Sequence, residues 1–129
     1  MNHFTNKQLG ALGERYAAAY LKEHKYKILE KNYKCKLGEI DLIVRDGEEV
    51  AFIEVKTRQA HPYVRGMYAV DRQKQEHILR TAAYYLAESK CRLQPRMDVM
   101  EVELDADHKL VRVNHIKAAF MQGGPYARY

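Results

Sequence analysis

Three charged residues stand on two otherwise apolar stretches. Asp41 lies in Gly38-Glu39-Ile40-Asp41-Leu42-Ile43-Val44, and Glu54 and Lys56 lie in Ala51-Phe52-Ile53-Glu54-Val55-Lys56. Both stretches have strand composition, and Asp46-Gly47 between them marks a hairpin turn. Side chains alternate along a strand, so Ile40, Leu42 and Val44 are expected to share a dry face with Ala51, Ile53 and Val55. Asp41, Glu54 and Lys56 then point to the other side. A four-residue loop, Asp46 to Glu49, pairs Arg45 with Val50 and sets Asp41 opposite Glu54, with Cβ atoms ~4.5–5.5 Å apart. A two-residue loop pairs Asp41 with Phe52 and leaves Glu54 one diagonal step away. The carboxylates converge in either register. At ~5 Å they repel by up to roughly 3 kcal/mol at an effective dielectric near 20. An exposed salt bridge returns only ~0–1 kcal/mol. A divalent cation is the natural compensation, and oxygen ligands with positions left for water suit Mg²⁺ or Mn²⁺.

Lys56 shares the face of Glu54. Beside a metal and a phosphate it can position or deprotonate the attacking water and stabilise the charge of the transition state. The plainer alternative pairs Lys56 with Glu39, which the four-residue register places opposite it. That pairing is the commoner fate of one such lysine, whereas the three charges together favour a site. Glu14 falls at the edge of the apolar face of the first helix. Alone it reads as a surface residue, yet a carboxylate there can reach the sheet.

The elements that must position these groups are legible. Thr5 and Gln8 form a capping box, Phe4 can staple onto Leu9, and the apolar period predicts a helix from Asn6 to His24. Gly10, Gly13 and Ala17 along one flank should let a second element approach closely. Strands are predicted over Tyr26–Tyr33, Glu39–Arg45 and Val50–Thr57. Asp71 caps a second helix whose stripe is Gln75, Ile78, Leu79, Ala82, Ala83 and Leu86. Strands over Met97–Leu104 and Leu110–Ile116 flank an Asp105-Ala106-Asp107-His108 turn. The order α-β-β-β-α-β-β reads as α/β, a central mixed five-stranded sheet flanked by helices.

Composition sets the bounds. With 129 residues, 47% apolar and 30% charged, the chain is expected to build one core over residues 1–120, followed by a fraying tail at 121–129. A net charge of +5 favours an anionic partner. The start lacks the apolar run of a signal peptide, and no stretch approaches the ~18 apolar residues of a membrane span. Cys35 and Cys91 lack metal-ligand spacing and read as reduced thiols. A cytoplasmic protein that does not engage a membrane is expected.

Gly13-Glu14, Gly38-Glu39-Ile40-Asp41 and Phe52-Ile53-Glu54-Val55-Lys56-Thr57-Arg58 resemble the YraN-like family of bacterial proteins read as endonucleases. That family belongs with the PD-(D/E)XK, restriction-endonuclease-like nucleases and is similar in layout to archaeal Holliday-junction resolvases. The resemblance covers about residues 8–120. It implies Asp41 and Glu54 as metal ligands, the Val55 carbonyl as a third, Lys56 as catalytic lysine and Glu14 as a helix-borne catalytic carboxylate. Two positions depart from the pattern: Ile40 replaces the proline of "PD", and Met97 stands where an aromatic is expected before Asp98.

The loop after Lys56 is basic. Arg58, Arg65 and Arg72 are candidates for binding phosphates, Tyr63 or Tyr68 for stacking on a base, and Gln75 for looking into the site. A solvated loop and a packing glutamine are the ordinary alternatives. Lysines among tyrosines from Tyr26 to Lys36 read as protection of an edge strand. The histidines show no paired metal spacing, and only His61 falls near the proposed site. The expected activity is metal-dependent hydrolysis of DNA phosphodiesters, with branched or repair intermediates as a candidate substrate class and RNA left open. The competing reading is a non-catalytic basic nucleic-acid-binding module, or a scaffold in a DNA-processing complex. Cutting both strands of a duplex needs two sites, so a symmetric homodimer, formed on the substrate if not before, is expected.

Overall fold

The computed structural model describes residues 4–59 and 70–120. Its order is α1 (Asn6–Glu23), β1 (Lys27–Cys35), β2 (Gly38–Asp46), β3 (Glu49–Gln59), α2 (Arg72–Ser89), β4 (Gln94–Leu104) and β5 (Leu110–Phe120). The five strands form one mixed sheet in the order β1-β2-β3-β4-β5. Neighbours pair antiparallel except β3 and β4, which run parallel across the α2 connection. The expected α/β architecture is the observed one. His61, Arg65, Tyr63, Tyr68 and the tail at 121–129 lie outside the described residues.

Each helix begins as its sequence dictates. Thr5 accepts from the Gln8 backbone N–H while the Gln8 side chain accepts from Thr5 N–H, closing the capping box. Phe4 stacks on His108 in the β4–β5 turn, with ring centroids 4.0 Å apart, so it ties the helix start to the sheet. Asp71 caps α2 by accepting from the Lys74 N–H at 2.8 Å.

The helices cover opposite faces. Ala17, Ala18 and Leu21 of α1 pack on Leu42, Val44, Ala51, Ile53, Met100, Val102 and Leu104. Ile78 and Ala82 of α2 pack on Ile43, Val50, Phe52, Met97 and Val99. Ile40 departs from expectation, because it joins the α2 side rather than the face of Leu42 and Val44. Alternation breaks where Asp41 meets β1: Lys31 pairs with Leu42 and Tyr33 with Ile40, and the intervening Asn32 has a left-handed backbone, φ 52°. Met97 pairs with Phe120, so β5 supplies an aromatic beside the position that lacked one.

Of the small residues on α1, Gly13 is the one that matters. A Cβ there would sit 1.8 Å from Thr57 Oγ1 and 2.7 Å from two of its carbons, whereas one at Gly10 would meet nothing. Overpacking of this kind typically costs about 1–3 kcal/mol. Gly13→Ala is therefore expected to lower stability by at least about 2 kcal/mol in urea unfolding, because α1 must lift off β3, while Gly10→Ala stabilises or leaves it unchanged.

Candidate active site

The β2–β3 hairpin sets the register. Arg45 pairs with Val50 and Leu42 with Ile53, the register that places Asp41 opposite Glu54. Asp46 and Glu49 also pair, so the turn itself is Gly47-Glu48, with Gly47 at φ 64°. The ladder stops at Leu42. Beyond it the Val55 N–H donates to Asp41 Oδ2 at 2.8 Å instead of to a β2 carbonyl. The strands part here, and the carboxylates lie in the opening.

Asp41 and Glu54 touch. Their carboxyl groups are hydrogen-bonded, and burial, then the charge and hydrogen bond of Glu54, push Asp41 up to about 8. The Val55 N–H works against that rise and Glu14 adds to it. With Glu54 buried and Asp41 half-buried, two carboxyl groups in contact cannot both ionise cheaply, so Asp41 holds its proton to higher pH. Glu54 is only 6% exposed. Its Oε2 lies 3.4 Å from Lys56 Nζ and 3.5 Å from Lys74 Nζ. Lys56 therefore faces Glu54, and Glu39 pairs instead with exposed Lys34 at 3.8 Å. The Lys56–Glu39 alternative does not occur.

Glu14 approaches from α1. It is half-buried and hydrogen-bonded to Asn32; burial raises its pKa most, Asn32 opposes, and the charges of Glu54 and Glu39 add to the rise. Glu14, Arg15, Lys31, Asn32 and Leu42 line a cavity of about 210 Å³ beside the opening. The other candidates are placed differently. Arg58 lies 3.9 Å from Glu103 and is largely covered. Arg72, the first residue of α2, is exposed. Gln75 is buried, 1% exposed, and donates to the Val70 carbonyl at 2.7 Å, so it braces the entry to α2.

Lys74, Asn32, Thr57 and Glu101 are further polar groups at or beside the site that were not anticipated. Thr57 Oγ1 and Gln75 Oε1 are buried without a hydrogen-bond partner among the described residues. Glu101, 4% exposed, lies beside Lys56 in the parallel β3–β4 register and accepts from Asn114 Nδ2 at 2.9 Å. Its alternation with Met100 and Val102 was readable; the reach of Lys74 from another element was not.

Among the described residues no three His, Cys, Asp or Glu side chains gather into a ready-made metal cage. The donors at the opening are Asp41 and Glu54, with the Val55 backbone next to them. Such an oxygen set fits a hard cation that keeps several of its waters, as Mg²⁺ does, and does not fit zinc. No described helix is long and apolar enough to cross a membrane.

A family model described as "Uncharacterised protein family UPF0102" matches residues 13–102, the span from Gly13 through the opening to β4. The chain belongs to UPF0102. A UPF0102 protein of Caldanaerobacter subterraneus subsp. tengcongensis is 45% identical over 122 residues, 93% of this chain and 100% of that one. One from Moorella thermoacetica is 42% identical over 121 residues, 90% of this chain and 98% of that one. One from Geotalea uraniireducens is 42% identical over 116 residues, 89% and 91% of the two chains. The UPF0102 match includes Glu14, Asp41, Glu54, Lys56 and Lys74, so the whole opening lies inside the family's own segment.

Proposed function

We propose that this UPF0102 protein is a metal-dependent nuclease of the PD-(D/E)XK type, hydrolysing DNA phosphodiesters. One observation carries the reading. Asp41 and Glu54 are in contact where β2 and β3 part, with Lys56 3.4 Å from Glu54. The motif resemblance to the YraN-like family supports it independently of the geometry. Asp41 and Glu54, with the Val55 carbonyl, would hold Mg²⁺ or Mn²⁺. When bound, the ion supplies Lewis-acid polarisation of the phosphate and a lowered pKa for its water.

The chain's own residues do the rest. Lys56 holds a cationic group beside Glu54, placed to orient the attacking water and to meet the charge that grows on the phosphoryl oxygens. Glu14 adds a third carboxylate from α1, held by Asn32 and facing the same opening. Arg72 and the basic loop before it would meet flanking phosphates. Two such sites in a symmetric dimer would cut both strands of a duplex or junction.

The test is cleavage of a panel of linear, nicked, flapped and four-way DNAs with Mn²⁺. Cleavage of at least one, abolished by EDTA, is expected; tight binding with no cleavage of any would favour a non-catalytic module. Lys56→Met is expected to slow the chemical step by about 10²–10⁴-fold. Mn²⁺ affinity by calorimetry should stay near that of the unaltered protein, since the lysine acts on water and phosphate and does not ligate the ion. Loss of Mn²⁺ binding together with activity would instead make Lys56 a brace for Glu54.

A further inference from the structure

The arrangement of Lys74 is unusual for a salt bridge. Glu54 Oε2 already has Lys56 at 3.4 Å, and Lys74 crosses from α2 to share the same oxygen at 3.5 Å. One carboxylate does not need two ammonium groups. The same Lys74 lines a second cavity, about 390 Å³, with Lys34, Cys35, Gly38, Glu39 and His77. Lys34, Lys74 and His77 are its basic residues, and the one carboxylate, Glu39, lies within 3.8 Å of Lys34.

The frame of this cavity is fixed. Asp71 holds the Lys74 backbone N–H at 2.8 Å, so the lysine leaves α2 from an ordered first turn. On the far wall Gly38, at φ 151°, brings the β1–β2 hairpin against α2; a Cβ there would meet Thr81 Oγ1 at 2.7 Å. Cavity and carboxylate opening are joined by Lys74 alone of the side chains named. A cation that touches a carboxylate on one side and an open basic cavity on the other can move from the first to the second when an anion arrives.

We infer that the Lys34–Lys74–His77 cavity is a phosphate subsite, which takes a backbone phosphate of the nucleic-acid strand adjacent to the one held at Asp41 and Glu54. Lys74 turns from Glu54 to that phosphate, so strand binding also frees Glu54 Oε2 from one of its two cations. Lys74 is thus a positioning residue that couples occupancy of the subsite to the state of the carboxylate pair. The inference rests on the nuclease reading only in taking the anion to be nucleic-acid phosphate.

The experiment is binding of a short fluorescent duplex DNA in EDTA, followed by anisotropy across a salt series, where no cleavage intervenes. Each phosphate contact contributes a slope of about −0.9 in log K against log salt. Lys74→Met and Lys34→Met are each expected to make that slope shallower by about 0.9 and to weaken binding severalfold. Lys22→Met, on the last turn of α1, should leave both unchanged. Lys34 touches neither Asp41 nor Glu54, so it carries the test even where Lys74→Met perturbs folding. Wild-type slopes in both variants, or no DNA binding by the unaltered protein, would overturn the subsite. Mn²⁺ calorimetry separates this from the nuclease reading. Unchanged slopes with Mn²⁺ still bound remove the subsite alone, whereas altered slopes in a protein that takes up no Mn²⁺ keep the subsite and remove the nuclease.

Discussion

Replacing Asp41 with asparagine is expected to eliminate metal-dependent cleavage and, in the same protein, to raise the melting temperature of the metal-free form near pH 8. The two effects have one cause. Asp41 is pushed up to about 8 by burial and by Glu54, while in the unfolded chain an aspartate ionises near about 3.9. The folded state therefore binds a proton that the unfolded state releases. Stability from the protonated form is complete below about pH 4 and is lost as pH rises toward 8. Asparagine reproduces the protonated acid: its oxygen can accept from the Val55 N–H and its amide can donate to Glu54. It cannot ionise, so its advantage is absent near pH 4 and grows to pH 8. One unit of pKa is worth about 1.4 kcal/mol. A gain of only one to two units' worth is about 1–3 kcal/mol, which is several degrees in melting temperature.

Glu54→Gln should abolish cleavage as well, but with the opposite sign in stability. It removes the carboxylate that Lys56 and Lys74 share and leaves two ammonium groups facing an amide. Mn²⁺ completes the set. At about 100 times its dissociation constant, a ligand that binds only the folded state adds about 2.7 kcal/mol. That increment is expected for the unaltered protein at pH 8 and for neither variant. An Asp41→Asn protein that melts lower than its parent at pH 8 would mark Asp41 as a structural carboxylate and count against a metal site.

Sequence reasoning reached the carboxylate pair because its position is local. Asp41 and Glu54 sit on two strands joined by a short turn, so parity and register alone bring them together. Lys56 followed from the same parity. The Ile40 assignment failed at the one place where alternation stops, between Leu42 on the α1 side and Ile40 on the α2 side. Nothing in the residue types announces that break, because the left-handed Asn32 that accompanies it is on a different strand. Lys74 was hidden for a similar reason: the contact joins residues 20 positions apart on a helix and a strand, and helical period says only that Lys74 precedes a buried Gln75. Arg58 read as the start of a loop, whereas it lies in β3, 3.9 Å from Glu103 on the neighbouring β4. What the chain encodes locally was legible, and what the parallel β3-α2-β4 crossover brings together was not.

The same sheet holds a buried carboxylate whose behaviour is the reverse of that of Asp41, and Arg96 decides it. Asp98 is fully buried, yet its pKa is lowered: burial raises it, and His115, Arg96 and the Ala118 N–H outweigh that. Arg96 donates Nε and Nη2 to the two Asp98 oxygens at 2.9 and 3.0 Å, and Nη1 to Asp46 and Glu49, each at 2.8 Å. His115 Nε2 lies 2.7 Å from Asp98 Oδ2, and the Ala118 N–H donates to Oδ1 at 3.0 Å. Asp98 thus has an arginine fork, an imidazole and an amide, where Asp41 has one amide and another acid. The first arrangement stabilises a charge and clamps the β2–β3 turn to β4 and β5. The second sets two acids against each other, a repulsion that a bound cation would relieve. Arg96→Met should therefore be the most destabilising single change on the sheet. It strands Asp98 with His115 and one N–H, at a cost of about 3–5 kcal/mol, against a total stability of about 5–15 kcal/mol. Stability in the parent, for its part, should fall as acid titrates Asp98 below about pH 4. In Arg96→Met/Asp98→Asn the loss should be smaller than the sum of the two single losses, because no stranded charge remains in the buried Asp98 position. Urea unfolding of the four proteins measures this directly. Losses that simply add would show that Arg96 and Asp98 stabilise the sheet independently and that the clamp is not a unit.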